Sequence, residues 1–259
     1  MAVVNYETGI ANEGNWSRLK QVMKRAQAGE PVTIGFLGGS ITQGSLSSLP
    51  STCYAYLVYE WWQKKFPAAK ITYVNAGIGG TTSQFGVARV AEDLLTQKPD
   101  VVVVEFSVND ENTPFFQETY EGLVRRICTA KQNPAVILLH NIFYATGDTA
   151  QEQHEQVGRH YDLPCLSMRD SVYQAMKNGL FTQKEITPDG LHPNDLGHQL
   201  LAGFVIYFLE KIHTSNREEE PLWPAGYPKP LTRNAYECSI RYRNHNCQPI
   251  CQGFVKDPQ

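Results

Sequence analysis

Residues 101–110 read VVVVEFSVND. Four consecutive valines carry no helical face and no polar alternation. β-branched residues in an unbroken apolar run suit a strand covered on both faces, as in a parallel sheet. Similar runs recur at VTIGFLG (32–38), ITYVNAG (71–77), AVILLHNIF (135–143) and LPCLSM (163–168). Between them lie amphipathic stretches at 54–66, 83–97 and 118–132, with a leading helix around 15–28 and a closing one around 196–213. This alternation predicts a three-layer α/β/α sandwich with right-handed crossovers. Ligands of such sheets bind beyond the carboxyl ends of the strands, so the segments following each strand hold the chemistry.

The chain of 259 residues divides on this reading into an N-terminal extension with a helix (1–30), an α/β domain (31–213) and an irregular C-terminal extension (214–259). The last 46 residues, rich in Pro, Arg, Asn and Tyr, are too few for a core of their own. They either drape on the α/β domain or begin a β-domain. A net charge of −3 supplies no basic field for nucleic acid. No apolar run reaches the length of a membrane span. MAVVNYETGIANEGN lacks the charged and apolar regions of a secretory leader. The cytoplasm is therefore expected, or secretion if a leader has been cleaved. Cys53, Cys128 and Cys165 sit in apolar surroundings and are expected as buried thiols. Cys238, His245, Cys247 and Cys251 contain no CxxC pair, so no zinc site is expected.

Four segments carry candidate chemistry. GGSITQG (38–44) follows the first long strand, and its glycines permit tight turns beside Ser40. The loop lacks the GK[ST] ending of a phosphate loop and the GxGxxG spacing of a dinucleotide site. A plain glycine turn and a serine nucleophile both remain open; the GxSxG elbow signature does not apply. NAGIGGTTS (75–83) can offer glycine N–H groups to an anion, and SVND (107–110) presents the Asn109 amide. Such donors stabilise the oxyanion of acyl transfer. PDGLHP (188–193) sets Asp189 three residues before His192 between prolines, a pair in which a carboxylate orients an imidazole.

In this order the four segments resemble the sequence blocks of the SGNH (GDSL-like) hydrolases, over about residues 32–212. The resemblance implies a flavodoxin-like sandwich with a five-stranded parallel sheet and a serine esterase activity. By matching position it implies Ser40 as nucleophile, His192 as general base and Asp189 as its orienting carboxylate. The oxyanion donors would be the N–H groups of Ser40 and Gly80 and the side chain of Asn109. Neither metal nor organic cofactor is needed. Two positions depart from the family pattern: Gly39 stands where an aspartate is usual, and Ser107 where a glycine is usual. The first removes a side-chain anchor, and the second is expected to narrow the floor of the site.

Other polar residues carry weaker readings. Asp110 is read as a brace for the turn holding Asn109. Glu105 is read as a satisfied core carboxylate, and His198 as a packing residue of the last helix. Asn112 and His140 are candidate substrate contacts, His140 equally a structural residue. The expected partner is a small-molecule or oligosaccharide ester, with no nucleic acid and no membrane; nothing in the sequence sets an oligomeric state. Small polar loops favour short acyl groups, chiefly acetyl, on carbohydrates. The alternatives are a lipase, thioesterase or acyltransferase of the same fold, or a non-catalytic carbohydrate-binding protein.

Overall fold

A computed structural model describes residues 4–243, 246–248, 250 and 252–253. The chain runs β1 (Ile10–Asn12), α1 (Ser17–Gln27), β2 (Val32–Gly38), α2 (Ser40–Gln43), α3 (Tyr54–Lys65), β3 (Ile71–Gly77), α4 (Ser83–Asp93), β4 (Val101–Glu105) and α5 (Pro114–Cys128). It continues through β5 (Ala135–His140), α6 (Gln151–His160), β6 (Cys165–Ser167), α7 (Gln174–Lys177), α8 (Gln183–Ile186) and α9 (Asp195–Thr214). The sheet order is β1-β6-β5-β4-β2-β3. Strands β2 to β6 are mutually parallel and form the expected flavodoxin-like set.

Side-chain alternation builds the three layers. Val101 and Val103 join one core with Trp16, Leu19, Val58, Trp62, Phe204 and Phe208, from α1, α3 and α9 and the residue preceding α1. Val102 and Val104 join the other with Val87, Val90, Leu123, Ile127 and Val157, from α4, α5 and α6. The valine run thus feeds both cores, as period two requires.

The short helices α2, α7 and α8 lie outside the sequence reading, and three larger differences stand beside them. Strand β1 adds a sixth, antiparallel strand on the β6 edge, pairing Ile10 with Leu166. Three residues, Ile-Ala-Asn, carry no pattern that could announce it. Helix α6 was not foreseen either. Its sequence QEQHEQVGRH is mostly polar, and its buried side is made by Gln151, His154, Val157 and Gly158. Helix α5 begins at Pro114, four residues before the expected start, because proline is well suited to the first helical position.

The described part of the C-terminal extension lies against α4, α5 and α6. Glu121 accepts the N–H groups of Leu231 (2.5 Å) and Thr232 (2.8 Å), and Arg125 donates to the carbonyl of Pro228 (2.9 Å). Trp223 donates its indole N–H to the carbonyl of Tyr161 (3.1 Å). Gly122 lies so close to the extension that a Cβ there would stand 2.9 Å from the Glu237 nitrogen. Among the described residues no helix is long and apolar enough to cross a membrane. His245 and Cys251 lie outside the described residues, and among those described no group of three or more His, Cys, Asp or Glu side chains could hold a metal ion.

Candidate active site

Three strands finish level. Gly38 at the end of β2 is in register with Gly77 of β3 and with Glu105 of β4. The segments that follow therefore open at one height, where the chain's direction across the sheet reverses. That crevice is the usual ligand position in such sheets. A buried arginine holds it open: Arg89 of α4 donates from Nη1 to the carbonyl of Ala76 (2.6 Å) and from Nη2 to that of Gly38 (3.1 Å). Neither strand end is left with an unpaired buried carbonyl.

Ser40 opens α2 and is buried except for a small part of its surface. Its hydroxyl lies 2.9 Å from His192 Nε2. On the far side of the ring, His192 Nδ1 lies 2.7 Å from Asp189 Oδ2. A carboxylate accepts only, so the ring proton belongs on Nδ1 and Nε2 is left to accept from the serine. The other Asp189 oxygen accepts the N–H groups of Leu191 (2.9 Å) and His192 (2.8 Å) and the Thr187 hydroxyl (3.2 Å). Partial burial pushes the Asp189 carboxyl upward, but the hydrogen bonds from His192 and these N–H groups outweigh it and hold the group at about 2. The arm is pinned at Gly190, which has φ +81° and accepts a hydrogen bond from the Ala145 N–H (3.1 Å). A Cβ there would meet Ala145 at 2.7 Å.

Gly80 takes φ +69° on the exposed segment after β3, and its N–H makes no hydrogen bond among the described residues. The neighbouring Gly79 N–H donates to Gln43 Oε1 (2.8 Å), which fixes this segment to α2. The Asn109 amide lies against Gly39, where a Cβ would collide with Asn109 Oδ1. The departure from the family's aspartate at position 39 thus makes room for the Asn109 side chain. Ser107 is buried and lies among the residues lining the cleft beside Asn109. Its hydroxyl donates to the Asn141 carbonyl (2.9 Å) and accepts the Asn141 N–H (2.6 Å), tying the ends of β4 and β5 together.

Support beneath the site was largely invisible in the sequence. Asp110 accepts from the Ser83 N–H (2.8 Å) and lies 3.0 Å from His154 Nε2, both partners buried. His154 stacks on Tyr120 with ring centroids 3.6 Å apart. Asp110 therefore joins the turn of Asn109 to the helix that follows the Gly80 segment. His198 has a role besides packing: Nδ1 accepts the Tyr54 N–H (3.3 Å), so Nε2 is free to donate to the Ser45 carbonyl (3.3 Å). Burial lowers its pKa to about 4, consistent with a neutral ring held in one tautomer. Ser45 in turn donates to the Ser40 carbonyl (2.9 Å). Asp195 accepts from the Ser48 N–H (2.8 Å) and the Thr52 hydroxyl (2.7 Å), anchoring the rest of that loop.

Glu105 is fully buried and only half satisfied. Oε2 accepts from Thr42 Oγ1 (3.2 Å), whereas Oε1 has no partner. Thr42 has one hydroxyl proton, so a Thr42 that donates to Glu105 accepts from the Tyr54 hydroxyl (2.9 Å). His140 does not line the site: it is fully buried, with neither ring nitrogen bonded, and its pKa is driven well below 6.5 by burial. Asn112 is exposed and donates to Glu152 Oε2 (3.0 Å) at a cleft that also includes Asn109.

The family model described as GDSL-like Lipase/Acylhydrolase family matches residues 36–200. Over 196 residues the chain is 29% identical to an acetylxylan esterase of Geobacillus stearothermophilus, covering 64% of this chain and 89% of that protein. It is 26% identical to the thioesterase 1/protease 1/lysophospholipase L1 of Escherichia coli (strain K12), covering 73% and 87%. Among solved structures, a two-domain esterase (CEX) active on acetylated mannans, co-crystallized with mannopentaose, superposes with a TM-score of 0.93. That protein is 55% identical, and the match covers 100% of this chain and 68% of the other.

Proposed function

Because the chain belongs to the GDSL-like lipase/acylhydrolase family, we propose that Ser40, His192 and Asp189 carry out serine-dependent ester hydrolysis, releasing acetyl groups from oligosaccharides. The observation that carries the reading is the continuous chain from Asp189 through His192 to the Ser40 hydroxyl, with links of 2.7 and 2.9 Å. Ser40 Oγ attacks the ester carbonyl while His192 Nε2 takes its proton. Oxyanion charge falls to the N–H groups of Ser40 and Gly80 and to the Asn109 amide. Collapse of the tetrahedral intermediate releases the sugar alcohol, which receives its proton from His192. Water then attacks the acyl-enzyme with His192 again as base. Asp189 remains ionised throughout the neutral range and keeps the ring oriented.

Acetylated mannans are the first candidates, because the two-domain esterase active on them is similar along the whole of this chain. The test is acetate release from acetylated manno- and xylo-oligosaccharides, run beside p-nitrophenyl esters of two to sixteen carbons. Activity on acetyl esters that falls by octanoyl, and is lost in Ser40→Ala, is expected. Stoichiometric labelling of Ser40 by a phosphonate should abolish it. A maximum at eight carbons or longer refutes the acetyl reading, and full activity in Ser40→Ala refutes the nucleophile.

A further inference from the structure

A cleft of about 480 Å³ opens directly beside Asn109, bounded by Asn112, Phe143, Asp148, Glu152 and Arg169. We propose that this cleft is the leaving-group subsite, which binds the pyranose unit bearing the acetyl group; the inference rests on the esterase reading above. Its volume falls within the roughly 300–1,000 Å³ usual for small-molecule sites.

Position is the first argument. The sugar oxygen that leaves must take its proton from His192, so the sugar has to lie on the flank of the Asp189–His192 arm. Phe143, Gly147 and Asp148 line the cleft from a turn that holds that arm through the Ala145–Gly190 hydrogen bond (3.1 Å). Asn109 packs against Gly39, the residue preceding Ser40. The cleft thus shares Asn109 with the proposed oxyanion donors and one lining turn with the support of the Asp189–His192 arm.

Preorganisation is the second argument. Glu152 is the centre of a fixed set: it accepts from Asn112 Nδ2 (3.0 Å) and pairs with Arg169. Arg169 also reaches Asp170 Oδ1 (3.2 Å), and Asp170 Oδ2 accepts from the Ser167 hydroxyl (2.7 Å). The lining turn is closed by Phe143 N–H to the Asp148 carbonyl (3.0 Å) and Gly147 N–H to the Phe143 carbonyl (2.7 Å). Carboxylate, amide and guanidinium groups held in place suit hydroxyl recognition with little ordering cost, and a half-buried aromatic ring suits the apolar face of a pyranose.

The test compares Glu152→Ala with the wild type on two substrates, an acetylated manno-oligosaccharide and p-nitrophenyl acetate. Glu152 is exposed, so its removal leaves the core untouched. The expected result is a loss of about tenfold or more in kcat/KM on the oligosaccharide, the scale of one lost hydrogen bond. On p-nitrophenyl acetate, which has no sugar, Glu152→Ala should keep wild-type kcat/KM within about twofold. Equal losses on both substrates, or none on either, overturn the subsite while leaving the esterase reading intact. Failure of the wild type to release acetate from any oligosaccharide overturns both.

Discussion

At residue scale the site separates groups that act from groups that hold. The proposed mechanism assigns Asn109 to the first kind: its amide has a neighbour in Gly39 but no bonded partner for Oδ1. Asn109→Ala should lower kcat by roughly 10²- to 10³-fold through lost oxyanion stabilisation, with little change in Tm. A folded variant with full turnover contradicts the assignment. Glu105 belongs to the second kind. Burial, helped by the nearby Asp110 charge and opposed by the Thr42 hydroxyl and Gly39 N–H, raises its pKa from 4.5 to about 7. The folded state therefore binds more protons than the unfolded chain between those values. The group's contribution to stability is full below about 4.5 and is lost as pH rises through 7, a term of roughly 3 kcal/mol. Asp189 has the opposite sign: its contribution is present above 3.8 and lost as pH falls through about 2. Glu105→Gln should accordingly flatten the decline of Tm between pH 5 and 8. An unchanged Tm profile counts against the buried titration.

At element scale the residues proposed to act were legible because Ser40, Gly80 and Asn109 stand in short segments after apolar runs, and Asp189 and His192 stand together between two prolines. Ser40, Asn109 and the Asp189–His192 pair stand out as candidates from strand ends and turn chemistry, whereas the choice of Gly80 and the role of each come from the family resemblance. The holding residues do not stand out. Arg89 lies in an amphipathic stretch where arginine normally faces solvent, and His154 lies in a helix too polar to be recognised as one. Both are buried only because a tertiary partner waits there: the strand-end carbonyls for Arg89, and Asp110 for His154. No local pattern encodes such partners. Asp110 was legible as a brace, but its second partner was not. Asp110→Ala would strand the Ser83 N–H and His154 Nε2 in the interior, at a cost of about 2–5 kcal/mol. Urea unfolding of the variant should show this loss, together with a lower kcat because the Asn109 turn is no longer tied to α4. A loss under about 0.5 kcal/mol, the scale of an ordinary surface change, would mean the network is dispensable.

At the scale of the whole molecule, the five parallel strands and both cores followed from the sequence, whereas the two ends of the chain did not. The sequence leaves the C-terminal extension open between draping on the α/β domain and beginning a β-domain. Its described residues drape, guided by Glu121, Arg125 and the bare backbone at Gly122, contacts that have no signature in composition. The N-terminal end joins the sheet through β1, and this pairing has a consequence in time. Ile10 cannot meet Leu166, nor Thr8 the Asp170 carbonyl 162 positions away, until the intervening chain has been made. Lys211 of α9 then clasps Glu7 (2.5 Å) and Glu13 (2.9 Å) over it. Loop closure over such a span is entropically costly, so these contacts should form after the folding barrier is crossed. Residues made well before their partners would thus be among the last to fold. Ile10→Ala should speed unfolding in stopped-flow experiments and leave the refolding rate unchanged. Refolding slowed in proportion to the lost stability would instead place β1 in the folding nucleus. With β1 arriving late, the β6 edge stays unpaired while the nascent chain is still growing, and during that interval it is open to strand exchange with a neighbouring copy.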